Sequence, residues 1–252
     1  MIYVTGDTHG DVTRLSTDNF PEQKEFENQD ENFVIICGDF GLIWNYLAET
    51  PSEKYWLNWL ENKNFTTLFV DGNHETFTRL YNYPTKEWNG GLVHEIRPHV
   101  LHLMRGQVFN IDGCTIFTFG GARSHDINNL LDLDDPDFTE KRKQFQKNNL
   151  FYRVKGISWW EEEMPTQEEM QTGLDNLENN NWKVDYIITH DCALSTKALY
   201  SHGSFKTDEL NAYLEEIRCK CEFKKWFFGH LHGDKQINDK EILLYRQIVR
   251  IW

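Results

Sequence analysis

The chain has 252 residues, 39% hydrophobic and 14% aromatic, enough apolar material for a large core and too much for a disordered chain. Asp and Glu outnumber Lys and Arg by 40 to 26, and the formal charge of −14 repels nucleic-acid backbones and anionic membranes. Stable nucleic-acid binding is therefore not expected, whereas a phosphate-bearing substrate stays compatible wherever a metal supplies local positive charge.

The opening MIYVTGDTHG has no basic segment followed by an apolar run, and no run approaches the ~20 residues of a membrane span. The expected setting is cytoplasmic, away from any membrane. Cys37, Cys114, Cys192, Cys219 and Cys221 then read as reduced thiols. Cys219 and Cys221 lack the second pair that would complete a zinc site.

In chain order, the first candidate strand is IYV at 2–4, which runs into GDTHG. FVIIC at 33–37 runs into GDFG, and TPSEKYWLNWLENKN follows as a helix with a Ser start and apolar Trp56, Leu57, Trp59 and Leu60 at helical spacing. TTLFV at 66–70 runs into DGNHE. Residues 91–119 read as consecutive strands joined by Gly turns, ending in TIFTF and GGARSHD. The stretch 123–165, rich in charge and Asn, reads as a cap-like insertion within a single domain spanning 1–252. PTQEEMQTGLDNLENN and FKTDELNAYLEEIRCK read as helices with Thr caps and acidic first turns. Between and after them, YIIT at 186–189 runs into HD, KWFF at 225–228 into GHLHG, and KEILLYRQIVRIW is again strand-like. Short buried strands alternating with helices define an α/β protein, and the mixed middle favours two sheets with helices outside.

Five apolar strands thus end in polar residues of one chemical kind, and carboxyl ends of strands are where α/β proteins assemble sites. The donors gathered there are Asp7, His9, Asp39, Asn73, His74, His190, His230 and His232. Oxygen and imidazole ligands suit Zn, Mn or Fe better than Ca, and eight donors exceed one tetrahedral ion but fit two ions sharing a carboxylate. In Asp-x-His and His-x-His, the first and third side chains of an extended segment point the same way. The glycines before Asp7, Asp39, Asn73 and His230 permit sharp turns. Glu75 reads either as a supporting residue behind a ligand or as a solvated turn residue. The Trp pair in SWW at 158–160 reads as packing in preference to a base-stacking platform. His94, His99, His102 and His202 have no strand-end partners and stay outside the site, and Asp71 reads as a simple strand-end residue.

Asp-x-His, Gly-Asp, Gly-Asn-His-Glu, His and Gly-His-x-His, in this order from Asp7 to His232, resemble the calcineurin-like metallophosphoesterases, and most closely their small bacterial and phage-type members. The resemblance implies a four-layer αββα sandwich of two mixed β-sheets flanked by helices. It implies two divalent ions, Mn²⁺, Fe or Zn²⁺: one held by Asp7, His9, Asp39 and His232, the other by Asp39, Asn73, His190 and His230. Asp39 would bridge, hydroxide generated between the ions would attack phosphorus, and His74 would serve as general acid. The Arg that protein Ser/Thr phosphatases carry in their second motif and after Gly-Asn-His-Glu is missing from GDFGLIW and GNHETF. Substitute phosphate grips are sought in Arg123 and His125, with Arg142 and Arg153 further away. A small phosphorylated substrate is expected. Phosphodiester cleavage of cyclic nucleotides or nucleic acid, protein phosphatase activity, and a non-catalytic binding scaffold are the alternatives.

Overall fold

The computed structural model describes residues 1–125 and 127–251. Among them, seven strands form one sheet in the order Ile248–Arg250, Ile2–Thr5, Phe33–Ile36, Thr66–Phe69, Val100–Leu103, Gly91–Arg97, Thr85–Trp88. The four from Ile2–Thr5 to Val100–Leu103 run parallel, with antiparallel neighbours on either side. A second sheet has the order Lys235–Gln236, Glu241–Leu243, Lys225–Phe228, Tyr186–Thr189, Cys114–Phe119, Gln107–Ile111, parallel at its centre and antiparallel at both edges.

The period-2 alternation of each strand assigns its side chains to two cores. Ile2 and Val4, Phe33 and Ile35, Leu68, Ile116, Tyr186, Ile188 and Phe227 meet between the sheets. Tyr3, Val34, Ile36 and Phe69 point outward onto Leu57 and Leu60 of the helix Pro51–Glu61. On the far side, Phe117, Phe119, Ile187, Trp226 and Phe228 pack against Met170 and Leu177 of Gln167–Asn179 and Leu210, Leu214 and Ile217 of Glu209–Lys220. The result is the helix–sheet–sheet–helix sandwich that the resemblance implies. Each fully buried Leu, Ile or Phe contributes ~1.5–3 kcal/mol, against ~0–1 for an exposed ion pair, so apolar layers and not surface charges fix the arrangement.

Where structure and sequence reading differ, the reasons are local. The first helix is capped by Thr50, not by a Ser: its hydroxyl accepts from the Glu53 N–H while Glu53 accepts from the Thr50 N–H. The last of the three long helices is capped by Asp208, not Thr207, with Oδ1 accepting from the N–H groups of Leu210 and Asn211. The run of strands from 91 to 119 divides between the sheets, and so does the segment 241–250. Within 123–165 lie the helix Phe138–Lys147 and a parallel pair, Leu130–Leu131 with Arg153–Val154. That helix buries no residue, so its sequence carries no apolar stripe by which to recognise it. Asp126 falls outside the described residues. Trp160 is buried and meets Trp44 edge-on at 5.8 Å, the packing role expected of the pair. All five cysteines are free, and no described helix is long and apolar enough to cross a membrane.

Candidate metal centre

The parallel strands of the two sheets deliver their polar ends to one place. Asp7, His9, Asp39 and His232 each offer one ligand atom, and these atoms lie within 4.8 Å of one another. His190 joins them, its Nε2 3.4 Å from Asp39 Oδ1 and 3.4 Å from Asn73 Oδ1. The His230 ring stands 5.0 Å from that of His190. Asp7, Asp39, His190 and His230 form a buried floor, while His9 and His232 stand at the exposed edge. A ligand thus has one side from which to enter.

The backbone reaches this arrangement by a different route from the extended geometry expected of the paired motifs. His9, Asp39, His230 and His232 all have left-handed φ, between 45° and 64°. Such conformations cost non-glycine residues on the order of 1–3 kcal/mol each and persist only where the surroundings impose them. Their concentration on ligand positions marks the centre as a place where packing is subordinate to chemistry. Gly72, by contrast, turns nothing sharply. A Cβ there would lie 2.1 Å from Asp39 Oδ1 and 2.8 Å from His190 Nε2, so glycine is required because backbone passes directly beneath the ligands.

The donor set fits cations. His9 Nε2 and His232 Nε2 face each other at 3.0 Å, and both look onto Asp7 Oδ2, at 4.0 and 3.3 Å. Two imidazole nitrogens converging beside a buried carboxylate form a group that could hold a cation. His230 Nε2 is buried without a hydrogen-bond partner, at a cost of ~1–3 kcal/mol unless something else satisfies it. His190 Nδ1–H donates to the Cys37 carbonyl at 2.7 Å, which leaves Nε2 free for coordination beside Asp39. Proton affinities follow the same field. The hydrogen bond to Asp7 pushes His232 up, and His190 is raised because Asp39 and Asp7 outweigh its burial. His230 is pulled down to about 4 by burial, which keeps its nitrogen unprotonated and available.

The remaining predicted residues fall beside these. The His74 N–H donates to Asp39 Oδ1 at 2.8 Å, and its ring lies between His9, edge-on at 5.0 Å, and Trp44, stacked at 5.4 Å. Glu75 is fully buried, which excludes a solvated turn residue. It accepts from the N–H groups of Phe40 at 2.7 Å and Gly41 at 3.4 Å, clamping the loop that carries Asp39. The His125 ring comes within 4.9 Å of the His230 ring. Arg123 points elsewhere, bonded to Asp208 and Glu209 at the start of a helix, and Arg142 donates to Tyr152 Oη on the insertion.

Several supports were invisible in the sequence. Asp71 is buried and accepts from Arg105 and, at 3.1 Å, from His102 Nε2; His102 Nδ1 in turn pairs with His94 Nδ1 at 2.9 Å. Both histidines therefore belong to the structure that carries Asn73. His99 instead pairs with Glu61, and His202 supplies the left-handed residue that ends the helix Leu194–Ser201. Arg14 donates to the Asp7 carbonyl at 2.7 Å and to the Tyr245 carbonyl, and the Tyr245 ring stacks on His232 at 4.8 Å. Beside His9 opens a cleft of ≈ 370 Å³ that includes Asn19, Tyr245 and Arg246.

Fold, buried carboxylates and converging imidazoles define a protein of the metal-dependent phosphoester hydrolase class. The sequence model of the calcineurin-like phosphoesterases matches residues 1–234, and the chain belongs to that family. No curated protein matches the chain to lend it a more specific role.

Proposed function

We propose that this chain hydrolyses a small phosphate ester with two divalent ions. Asp7, His9, Asp39 and His232 would hold the first, and Asp39, Asn73, His190 and His230 the second. The observation that carries the reading is the buried Nε2 of His230, without a hydrogen-bond partner among the described residues and next to His190 and Asp39, an arrangement that a cation would satisfy. When bound, the ions supply Lewis acidity and lower the pKa of water at the site. His74, fixed through its backbone to Asp39 and by its ring to Trp44, places an imidazole over the open edge, where it donates a proton to the departing oxygen. Such a proton transfer is worth ~10²–10⁴-fold in rate.

Phosphate recognition falls to His125 and to the cleft beside His9. The Arg246 guanidinium lies over the Tyr245 ring with no ion pair among the described residues, ready for an anionic or planar portion of a small substrate. Arg123 is occupied by Asp208 and Glu209, and GDFGLIW and GNHETF lack the arginines that phosphoprotein phosphatases carry at those places, which supports a small molecule over a phosphoprotein. The physiological setting we infer is the cytoplasm, with Mn²⁺, Fe or Zn²⁺ as the ions.

The test is Asp39→Asn assayed with Mn²⁺ on an aryl phosphate, an aryl phosphodiester, nucleotides, cyclic nucleotides and phosphopeptides. Metal-dependent hydrolysis of at least one small ester by the wild type and its loss in the variant are expected. Equal turnover by both proteins refutes the reading, and turnover of phosphopeptide alone refutes the choice of substrate.

A further inference from the structure

The insertion at 123–165 reaches the candidate ligand Asn73 through a polar chain. Ser124 Oγ lies 3.3 Å from Asn73 Nδ2 and 2.6 Å from Glu163 Oε2, while the Ser124 N–H donates to Glu163 Oε1 at 2.8 Å. Glu163 is itself buried, and the main chain around it is tied down. Its carbonyl accepts from the Ala122 N–H at 3.1 Å, and Arg105 donates to the Glu162 carbonyl at 2.8 Å while binding Asp71, two residues before Asn73. The Gly121 N–H closes the loop by donating to the Asp71 carbonyl at 2.9 Å. Residues 121–124 are thus held between the strand end that carries Asn73 and the turn that carries Glu163.

Hydrogen-bond chemistry gives this chain a direction. A carboxylate is an acceptor on both oxygens, so Glu163 accepts a hydrogen bond from the Ser124 hydroxyl as well as one from its N–H. With its one proton committed, Ser124 Oγ can only accept from Asn73, and the group facing it must be the NH₂. The amide oxygen is then turned the other way, toward His190 Nε2 and Asp39, where a cation would sit. An asparagine can present either end of its amide, and only the oxygen end is a metal ligand.

We propose that Ser124 and Glu163 are positioning residues that select the ligating orientation of Asn73, so that the insertion sets the affinity of the second ion. Both lie far from Asn73 in sequence, and neither matches any part of the strand-end motifs. The inference rests on the two-ion reading above, and the experiment separates the two.

Mn²⁺ is titrated into the metal-free chain and bound ion is counted by equilibrium dialysis with elemental analysis, without recourse to activity. The wild type is expected to bind two ions. Ser124→Ala removes the acceptor, and Glu163→Gln, nearly isosteric, offers an NH₂ that reverses the hydroxyl and with it the amide. Both are expected to weaken one ion by about 10–100-fold, the usual effect of losing a ligand's outer partner, and to leave the other unchanged. Asn73→Asp supplies oxygen at either end, so in that background Ser124→Ala is expected to have no further effect. A merely structural role for Ser124 would weaken binding equally in both backgrounds. Two ions bound by Ser124→Ala with wild-type affinity overturn this inference alone, whereas a wild type that binds fewer than two overturns it together with the two-ion reading.

Discussion

Four left-handed candidate ligands and a glycine pressed against a carboxylate show what individual residues contribute here. The conformational cost at His9, Asp39, His230 and His232 is accepted because each backbone reversal aims a donor inward, and Gly72 is the counterpart that makes room for it. Gly72→Ala puts a methyl group at 2.1 Å from Asp39 Oδ1 and 2.4 Å from its amide nitrogen, both shielded from relaxation by burial. We expect Mn²⁺ affinity to fall by at least the ~10–100-fold of a displaced ligand support, with the fold retained by circular dichroism. An alanine variant that binds two ions with unchanged affinity would show that the loop can move aside. The sequence gives away the identity of these residues because each follows an apolar strand directly. It conceals their conformations, since nothing in Asp-x-His or His-x-His distinguishes an extended segment from a pair of left-handed turns.

At the scale of elements, the helix Pro51–Glu61 contributes more than its apolar face. Glu53, in its first turn, accepts from the N–H groups of Trp44 at 2.7 Å, Asn45 at 3.0 Å and Thr50 at 2.6 Å, and pairs with Arg79 at 3.0 Å. Through Trp44 the helix start therefore holds the surface on which His74 stacks. Burial opposes the Glu53 charge, but the Thr50, Asn45 and Trp44 amides and Arg79 together hold its carboxyl below the usual range. A carboxyl lowered on folding stabilises the folded state fully above its unfolded pKa of ~4.3, and that contribution disappears as pH falls through the folded value. Glu53→Gln should accordingly be less stable than wild type at pH 6, with the difference narrowing below pH ~4, as read from urea midpoints. A constant difference across that range would exclude the carboxylate as its source. Helices of this kind were legible from acidic first turns and Trp and Leu spacing, with the cap itself read correctly only at Thr166. The helix Phe138–Lys147 was not, for want of any buried side to pattern its sequence. The partnerships among Asp71, Arg105, Glu163 and Ser124 were equally hidden, because they join segments separated by tens of residues and depend on which sheets the intervening strands choose.

The whole molecule is closed by a segment that belongs to both sheets. Glu241–Leu243 pairs with Lys225–Phe228 in one, and Ile248–Arg250 pairs with Ile2–Thr5 in the other. Between them, the Tyr245 carbonyl is held by Arg14 while its ring covers His232. A chain cut to residues 1–240 loses all four contacts, and we expect it to bind no Mn²⁺ in dialysis even where circular dichroism shows residual helix. Two-ion binding by the shortened chain would place the organisation of the centre wholly within the first 240 residues. The pairing of residues 2–5 with 248–250 has a further meaning for biosynthesis. A ribosome releases the Asp7 strand first and its edge partner roughly 240 residues later, at a rate near 5–20 residues per second. For that interval the Ile2–Thr5 edge lacks its antiparallel partner, although the last candidate ligand, His232, is in the chain before the interval ends. The outer edge of Ile2–Thr5 is therefore the last part of the seven-stranded sheet to be covered as the chain is made.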